Sequence, residues 1–320
     1  MKLAVFSPVF GNMNLEDALK YLAAKGVDGM ELGVGGYPGK AHADIIELKN
    51  NPKKIIALKE LFEKYNLDIC ALSVHGNGVH PQKPIAQTAT EELEAAIEVA
   101  PKLGVKKVIT FSGCPGDGKG DMPNWVTCAW PNEYREVLEY QWNEVLIPYW
   151  KKEAQRAQDN GVQICFEMHP GFCVYNPETL LKLRMAAGDS LGANLDPSHL
   201  IWQGIDVVSA IRCLGKALFY FHAKDTSLDR ENVAKNGVLD TKPYEKEGER
   251  SWIFRTVGYG SDEKFWKDVV SALRINGYDD YMSIEHEDSL MTQTEGLDKA
   301  IAFMQNIMVR QARTNGLWWV

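Results

Sequence analysis

The 320-residue sequence lacks the features of a membrane-spanning, nucleic-acid-binding or disulfide-rich protein. No apolar run is long enough to cross a bilayer, and no run rich in lysine or arginine indicates a phosphate-binding surface. The formal net charge of −8 also disfavours a nucleic-acid partner, because phosphate backbones bind cationic surfaces. None of the six cysteines belongs to a C-x-x-C pair, so we expect reduced, mostly packed thiols in a cytoplasmic protein.

Two N-terminal motifs are also missing. The first apolar run is not followed by G-x-G-x-x-G, which disfavours an open, doubly wound nucleotide-binding sheet. The segment MKLAVFSPVF, which contains this run, has no small-residue cleavage site. We therefore interpret it as the first β-strand rather than as a signal peptide.

Short apolar runs alternate with longer amphipathic segments along the whole chain. The runs are continuously apolar, as expected for parallel strands buried on both faces. The amphipathic segments carry helix signals, such as Asn14 before LEDALKYLAAKG and Pro52 in the first turn of PKKIIALKELFEKYN. Eight strand–helix units predict the α/β class and a single (β/α)8 TIM barrel over residues 1–320. The predicted strands are Leu3–Ser7, Gly29–Leu32, Ile69–Ser73, Lys107–Phe111, Gln163–Glu167, Gly192–Leu195, Leu218–His222 and Met282–Glu285.

Three long connections, residues 33–42, 112–131 and 225–260, follow predicted strands. We expect long βα loops on the catalytic face, because loops of this length in a compact domain are usually functional. Trp125 and Trp130 could bind a sugar ring or a planar group, or could pack their loop onto the barrel. The aromatic tail, residues 311–320, is expected to dock on the barrel or on a neighbouring subunit.

Polar side chains follow the predicted strands at the rim where a barrel keeps its active site. All seven histidines lie at strand ends or in the loops that follow, although His42 is far enough from its strand to be a solvated loop residue. Glu167, Asp196, His222 and Glu285 end four consecutive strands. Such a set predicts one divalent cation, with Mn²⁺ favoured by the carboxylates and Mg²⁺, Co²⁺ or Zn²⁺ as alternatives.

The motifs FEMHP, NLDPSH, FHAKD and SIEHED, in this order, resemble those of the xylose-isomerase-like barrel superfamily of sugar-phosphate isomerases and epimerases. The resemblance covers nearly the whole chain and specifies a superfamily rather than a substrate. It implies that the four strand-end residues hold one ion, which binds two adjacent substrate oxygens. It also implies that Glu167 and Glu285 move a proton on either face of the carbon next to a carbonyl, through an enediolate that the cation stabilises. The implied activity is a metal-dependent isomerase or epimerase of keto-sugars.

Further site residues follow from the motifs and their positions. His169 lies two residues after Glu167, on the same face of an extended segment, and is either a catalytic base, a residue that supports a metal ligand, or a capping histidine. The resemblance implies that His199 contacts a substrate oxygen next to the metal. His75 and Asn77, after the third strand, could bind sugar hydroxyls.

Cationic side chains after the seventh strand are candidates for substrate binding. Keto-sugar epimerases of this superfamily place an arginine a few residues after the metal histidine, and here the nearest is Arg230, in a long insertion. Lys224 closely follows His222, and Arg255 lies in the long connection after the seventh strand. No glycine-rich loop with a following lysine occurs after the seventh or eighth strand, which favours a free sugar over a sugar phosphate.

Other functions remain open. The chain also resembles the catalytic subunits of bacterial C-glycoside deglycosidases and 3-keto-glycoside lyases. In that case His169 or Glu167 would remove the C2 proton of a 3-oxo-glycoside and the aglycone would leave. A small β-rich partner subunit would then cap the barrel, whereas an isomerase would be a homo-oligomer. A phosphodiesterase of the endonuclease IV type is disfavoured by the net charge of −8, and a sugar sensor would not need two opposed bases.

Overall fold

All eight predicted strands are present in the structure, a computed structural model that describes residues 1–311. The barrel strands are parallel and close in the order β1–β10–β7–β6–β5–β4–β3–β2, so the predicted TIM barrel is confirmed. The predicted docking of Trp318 and Trp319 lies outside the described residues. The strands are β1 (Lys2–Phe6), β2 (Gly29–Gly33), β3 (Asp68–Ser73), β4 (Lys107–Thr110), β5 (Gln163–Glu167), β6 (Leu191–Leu195), β7 (Leu218–Ala223), β8 (Asp225–Leu228), β9 (Trp252–Arg255) and β10 (Tyr281–Ile284).

Helices surround the barrel and bury their apolar faces against the strands. Two starts agree with the sequence signals: the side chain of Asn14 accepts a hydrogen bond from Asp17 N at 2.9 Å, and Pro52 begins its helix. In the described part of the chain, no helix is long and apolar enough to cross a membrane. The helices are α1 (Leu15–Ala24), α2 (Ile45–Asn50), α3 (Pro52–Lys64), α4 (Lys83–Leu103), α5 (Asn132–Tyr140), α6 (Ile147–Asp159), α7 (Pro177–Ala187), α8 (Pro197–Ile201), α9 (Val207–Leu214), α10 (Arg230–Asn236), α11 (Glu263–Ile275) and α12 (Gln293–Ile307).

The connection between β7 and β10 contains regular structure that the sequence analysis missed. Strands β8 and β9 pair antiparallel, with Asp225 opposite Arg255, instead of forming the irregular loop expected for residues 225–260. The buried carboxylate of Asp225 accepts hydrogen bonds from the backbone of Gly258 and Ser261 and from the indole of Trp266. These bonds fix the two-stranded sheet above the barrel rim. Its strands are four residues long and widely separated, so no short turn revealed the pairing.

A π-helical segment, Gln141–Leu146, joins α5 to α6 and positions the loop after β4. The buried side chain of Gln141 donates hydrogen bonds to the carbonyl oxygens of Pro115, at 3.0 Å, and Asn124, at 2.6 Å. Such π-helical insertions are frequent at functional sites. Here the segment secures the loop that carries Trp125.

Candidate metal centre

The four predicted ligand residues meet at the carboxyl end of the barrel. Glu167 ends β5, Asp196 follows β6, His222 lies in β7 and Glu285 follows β10. Each offers one ligand atom, and these atoms all lie within 4.8 Å of one another. Parallel strands of a closed barrel end on one rim, so the topology brings together residues far apart in sequence.

Three of these side chains have atoms that suit a cation and form no hydrogen bond to the described residues, although the ammonium of Lys224 lies 3.3 Å from Asp196 Oδ2. Within residues 1–311, Asp196 Oδ2, His222 Nδ1 and Glu285 Oε2 are buried and have no hydrogen-bond partner. His222 Nδ1 lies only 2.9 Å from Glu285 Oε2, but the two atoms are not aligned for a hydrogen bond. Buried polar atoms are normally paired, so unpaired oxygen and nitrogen atoms converging on one point fit a divalent cation.

The opposite nitrogen of the histidine is held by a residue that the sequence analysis missed. His222 Nε2 lies 3.0 Å from both carboxylate oxygens of Glu31, in the middle of β2, and Ser73 Oγ donates to Glu31 at 2.6 Å. Burial would raise the pKa of Glu31, but the charge on His222 lowers it. Burial would likewise lower the pKa of His222, but Glu31 and Glu285 hold it well above its usual range. The contact with Glu31 holds the proton on Nε2 and directs Nδ1 at the cluster of candidate ligands, where a cation would bind in place of the Nδ1 proton.

Two histidines fix the carboxylate of Glu167. His75 Nε2 lies 2.9 Å from one oxygen, and His199 Nε2 lies 3.0 Å from the other. Burial alone would raise the pKa of Glu167, but the hydrogen bonds from His199 and His75 hold it well below its usual range. Burial and the neighbouring His169 lower the pKa of His199 to about 4, so a neutral His199 donates one N–H to Glu167 near neutral pH.

Lys224 is completely buried among acidic groups. Its ammonium nitrogen lies 2.8 Å from Glu287 Oε2, 3.2 Å from Glu285 Oε1 and 3.3 Å from Asp196 Oδ2, and 4.5 Å from the ring centre of Phe254. Burial would lower the pKa of Lys224, but Glu285 and the other carboxylates raise it well above its usual range. The site thus keeps a permanent positive charge beside two carboxylates of the candidate metal centre, those of Asp196 and Glu285.

A cavity of about 240 Å³ opens over these residues. Burial lowers the pKa of His169, and the ring of His169 lies 4.1 Å from the ring of His199, centre to centre. His286, which the sequence analysis gave no role, also lines the cavity. The predicted site residues that line this cavity are His75, Glu167, His169, Lys224 and Glu285.

Four predicted substrate-binding residues do not line this cavity: Asn77, His199, Arg255 and Trp125. Asn77 is buried and uses its amide to hold the backbone: it donates to Cys114 O at 2.9 Å and accepts from Cys114 N at 3.1 Å. Arg255 donates to Asp288 Oδ2 at 3.1 Å. Trp125 lines a second cavity, next to the first, together with His169 and His199. The structure therefore gives Asn77 and Arg255 roles in holding loops, and gives Trp125 a place beside the site.

A family model described as the xylose isomerase-like TIM barrel matches residues 19–307, and the chain belongs to this family. YfiH of Bacillus subtilis is 38% identical over 305 residues, covering 94% of this chain and 97% of YfiH. The IolI protein with a bound zinc atom has a TM-score of 0.66 at 20% identity, covering 96% of this chain and 98% of IolI. The 3-keto-D-glucoside 4-epimerase YcjR from E. coli has a TM-score of 0.65 at 14% identity, covering 96% and 99%.

Proposed function

We propose that this chain is a divalent-metal-dependent enzyme that isomerises or epimerises a keto-sugar. One observation carries the proposal: two carboxylates from different strands, Glu167 and Glu285, face one cavity and share a cluster of ligand atoms with Asp196 and His222. A bound divalent cation would hold two adjacent substrate oxygens and stabilise the negative charge that forms on them. Mn²⁺ suits this carboxylate-rich set, with Mg²⁺, Co²⁺ and Zn²⁺ as alternatives.

The chain's own residues supply the proton transfers. Hydrogen bonds from His75 and His199 keep Glu167 ionised and fix its orientation, so it can accept the proton from the carbon next to the carbonyl. Glu285 comes from another strand and, when it carries a proton, can give it to the same carbon from the other side; in the reverse reaction the two carboxyl groups exchange these roles. The ammonium group of Lys224, 3.2 Å from Glu285, adds a positive charge where the substrate becomes negative.

A second candidate is the elimination of an aglycone from a 3-oxo-glycoside, with His169 or Glu167 as the base. It is favoured by the position of His169, which lines both the catalytic cavity and the second cavity, where a leaving group could lie. The epimerase YcjR, with the same fold, acts on a 3-keto-D-glucoside according to its name. If the chain is such a lyase, we expect a small β-rich partner subunit. If it is an isomerase or epimerase, we expect a homo-oligomer.

Deuterium exchange from solvent, followed by mass spectrometry, tests the shared chemistry. Mn²⁺-loaded protein is incubated in D₂O with ketohexoses and with 3-oxo-glucosides, and chelated protein is the control. Deuterium next to the carbonyl with an intact skeleton supports the isomerase or epimerase, and release of a free aglycone supports the lyase. Exchange that is as fast with chelated protein contradicts metal dependence, and no exchange with any substrate contradicts the proposal.

A further inference from the structure

The second cavity has about 340 Å³ of space and aromatic walls. Four aromatic side chains line it: Trp125 from the loop after β4, Trp202 after α8, Tyr244 from the loop between β8 and β9, and Trp252 in β9. Three separate segments thus bring large aromatic side chains to one place. Barrel packing does not require this, because the cavity lies outside the strands and above the rim.

The aromatic wall is held rigid without a ligand. The rings of Trp202 and Trp252 stack at 4.8 Å between centres, with an angle of 5° between their planes. The buried guanidinium of Arg250 lies 4.6 Å from the centre of the Trp252 ring and 4.4 Å from that of Tyr244, and Arg250 Nε donates to Trp252 O at 3.1 Å. A preformed aromatic surface loses little conformational entropy when it binds a ring.

The second cavity continues the catalytic one. His169 lines both, and His199, which lines the second, also donates to Glu167 at 3.0 Å. A ligand bound at the metal ligands can therefore extend past His169 to the aromatic wall. Within the part of the chain that the structure describes, the buried indole nitrogens of Trp125 and Trp202 have no acceptor. These indole N–H groups could donate hydrogen bonds to polar substituents on a ring bound in the second cavity.

We propose that the second cavity binds the planar aromatic aglycone of a glycoside whose keto-sugar ring occupies the catalytic cavity. The inference rests on the proposed function and adds a substrate class to it: aryl glycosides rather than free monosaccharides. Flat aromatic walls favour a flat aromatic ring, because offset stacking and burial of the ring's apolar area both favour binding. Stacking alone corresponds to roughly a 2- to 12-fold gain in affinity for the aryl group, and the buried area adds to it.

Binding by the Mn²⁺-loaded full chain tests the proposal without turnover. The probes are 4-nitrophenyl β-D-glucopyranoside and methyl β-D-glucopyranoside, which lack the carbonyl and cannot react, and binding is measured by titration calorimetry. We expect the aryl glucoside to bind about tenfold more tightly than the methyl glucoside. Trp125→Ala should remove most of this preference, and Trp125→Phe should restore part of it.

Trp130→Ala is the matched control. Trp130 belongs to the same loop but is 78% exposed, and its replacement should leave the aryl preference unchanged. Tyr244→Ala is a second variant at the wall; it is 53% exposed, so its replacement carries little risk of unfolding, and it should also reduce the preference. Circular dichroism and bound metal, compared with the parent, confirm that each variant is folded.

The outcomes separate this inference from the proposed function. Equal affinity for the two glucosides, or an aryl preference that survives both Trp125→Ala and Tyr244→Ala, overturns the inference even where ketohexoses exchange deuterium. An aryl preference that depends on Trp125 supports the aromatic subsite even where no keto-sugar exchanges, and only the reaction is then wrong. If cellobiose gains as much affinity over methyl β-D-glucopyranoside as the aryl glucoside does, the second cavity binds a second sugar, and the proposal of an aromatic aglycone is overturned.

Discussion

His222 Nε2 contacts both carboxylate oxygens of Glu31 at 3.0 Å across the interior of the barrel, and both side chains are completely buried. The contact joins β2 to β7, which are not neighbours in the sheet. It decides which nitrogen of the histidine faces the candidate metal centre. A carboxylate behind a ligating histidine also makes the imidazole a better ligand, because it stabilises the positive charge that the ring gains on binding a cation.

Glu31→Gln should therefore weaken metal binding although Glu31 is not a ligand. We expect the dissociation constant for Mn²⁺ to rise about 10–100-fold, the range typical of changes behind a ligand. The measurement is a calorimetric titration with Mn²⁺, and mass spectrometry quantifies the bound metal. Glu16→Gln, at an exposed glutamate paired with Lys64, is the control and should bind Mn²⁺ normally. Unchanged affinity in the Glu31 variant would contradict the supporting role.

The fold and the convergence of the four candidate ligand residues could be predicted from sequence because both leave local signals. Continuous apolar runs identify buried parallel strands, and a polar residue at the end of such a run, as with Glu167, must face the rim. Glu31 gave a weaker signal: one acidic residue inside the buried run GMELG, which only a partner across the barrel explains. That partner is 191 residues away, and nothing local in the sequence identifies it.

The features that sequence reasoning missed depend on contacts between distant segments. The antiparallel sheet of β8 and β9 has no short turn, and the positions of its strands are set by the buried carboxylate of Asp225. Asn77 and Arg255 are polar residues in loops on the catalytic face, as substrate-binding residues would be. Their hydrogen bonds to Cys114 and Asp288 follow from loop conformations that no sequence pattern specifies.

Glu285→Gln and Glu167→Gln test the pair of bases. Each variant keeps an amide oxygen where the carboxylate was but cannot accept a proton at neutral pH, so interconversion of epimers should fall by about 10²–10⁴-fold. In each variant the remaining base can still exchange deuterium into the epimer whose C–H bond points towards that base. The two variants should therefore introduce deuterium into opposite epimers. Bound metal is measured in parallel to separate loss of a base from loss of the cation. Near-normal interconversion in either variant would refute the two-base mechanism.

Gly36 is expected to be essential because the backbone that carries His75 passes directly over it. Its φ is +62°, and a Cβ atom would lie 2.0 Å from the carbonyl oxygen of His75. Gly39, in the same loop, has a φ of +77° but open space around its Cβ position. Both alanine variants strain the backbone by about 1–2 kcal/mol, but only Gly36→Ala must also displace His75, which orients Glu167.

We therefore expect a modest fall in melting temperature for Gly39→Ala, with Mn²⁺ affinity preserved. Gly36→Ala should lose distinctly more stability, by about 3 kcal/mol or more in total, and should bind Mn²⁺ less tightly. Thermal unfolding and metal titration of the two variants give the comparison. Equal losses of stability and of Mn²⁺ affinity in the two variants would show that only the left-handed backbone conformation matters. The close approach of Gly36 to the backbone of His75 would then have no effect.

Asp240 gives the loop before β9 a dependence on pH. Its carboxylate accepts hydrogen bonds from Ser251 N at 2.7 Å and Lys242 N at 2.9 Å. Burial would raise the pKa of Asp240, but the hydrogen bonds from Lys242 and Ser251 lower it to about 2. A lowered pKa in the folded state means that the carboxylate stabilises the loop above its ordinary pKa of 3.8, and that this contribution is lost as the pH falls towards 2.

Hydrogen exchange of residues 240–251 can detect this loss, with rates expressed as protection relative to the unfolded chain at the same pH. At pH 7, Asp240→Asn should reduce protection of this segment by about tenfold or more, because hydrogen bonds to a charged group contribute about 1.5–3 kcal/mol. The difference between parent and variant should shrink below about pH 4, as the parent's carboxylate takes up its proton. Glu249→Gln, at a glutamate with an exposed side chain in the same loop, should match the parent at every pH. A parent–variant difference that stays constant between pH 7 and pH 2 would show that the charge on Asp240 does not hold the loop.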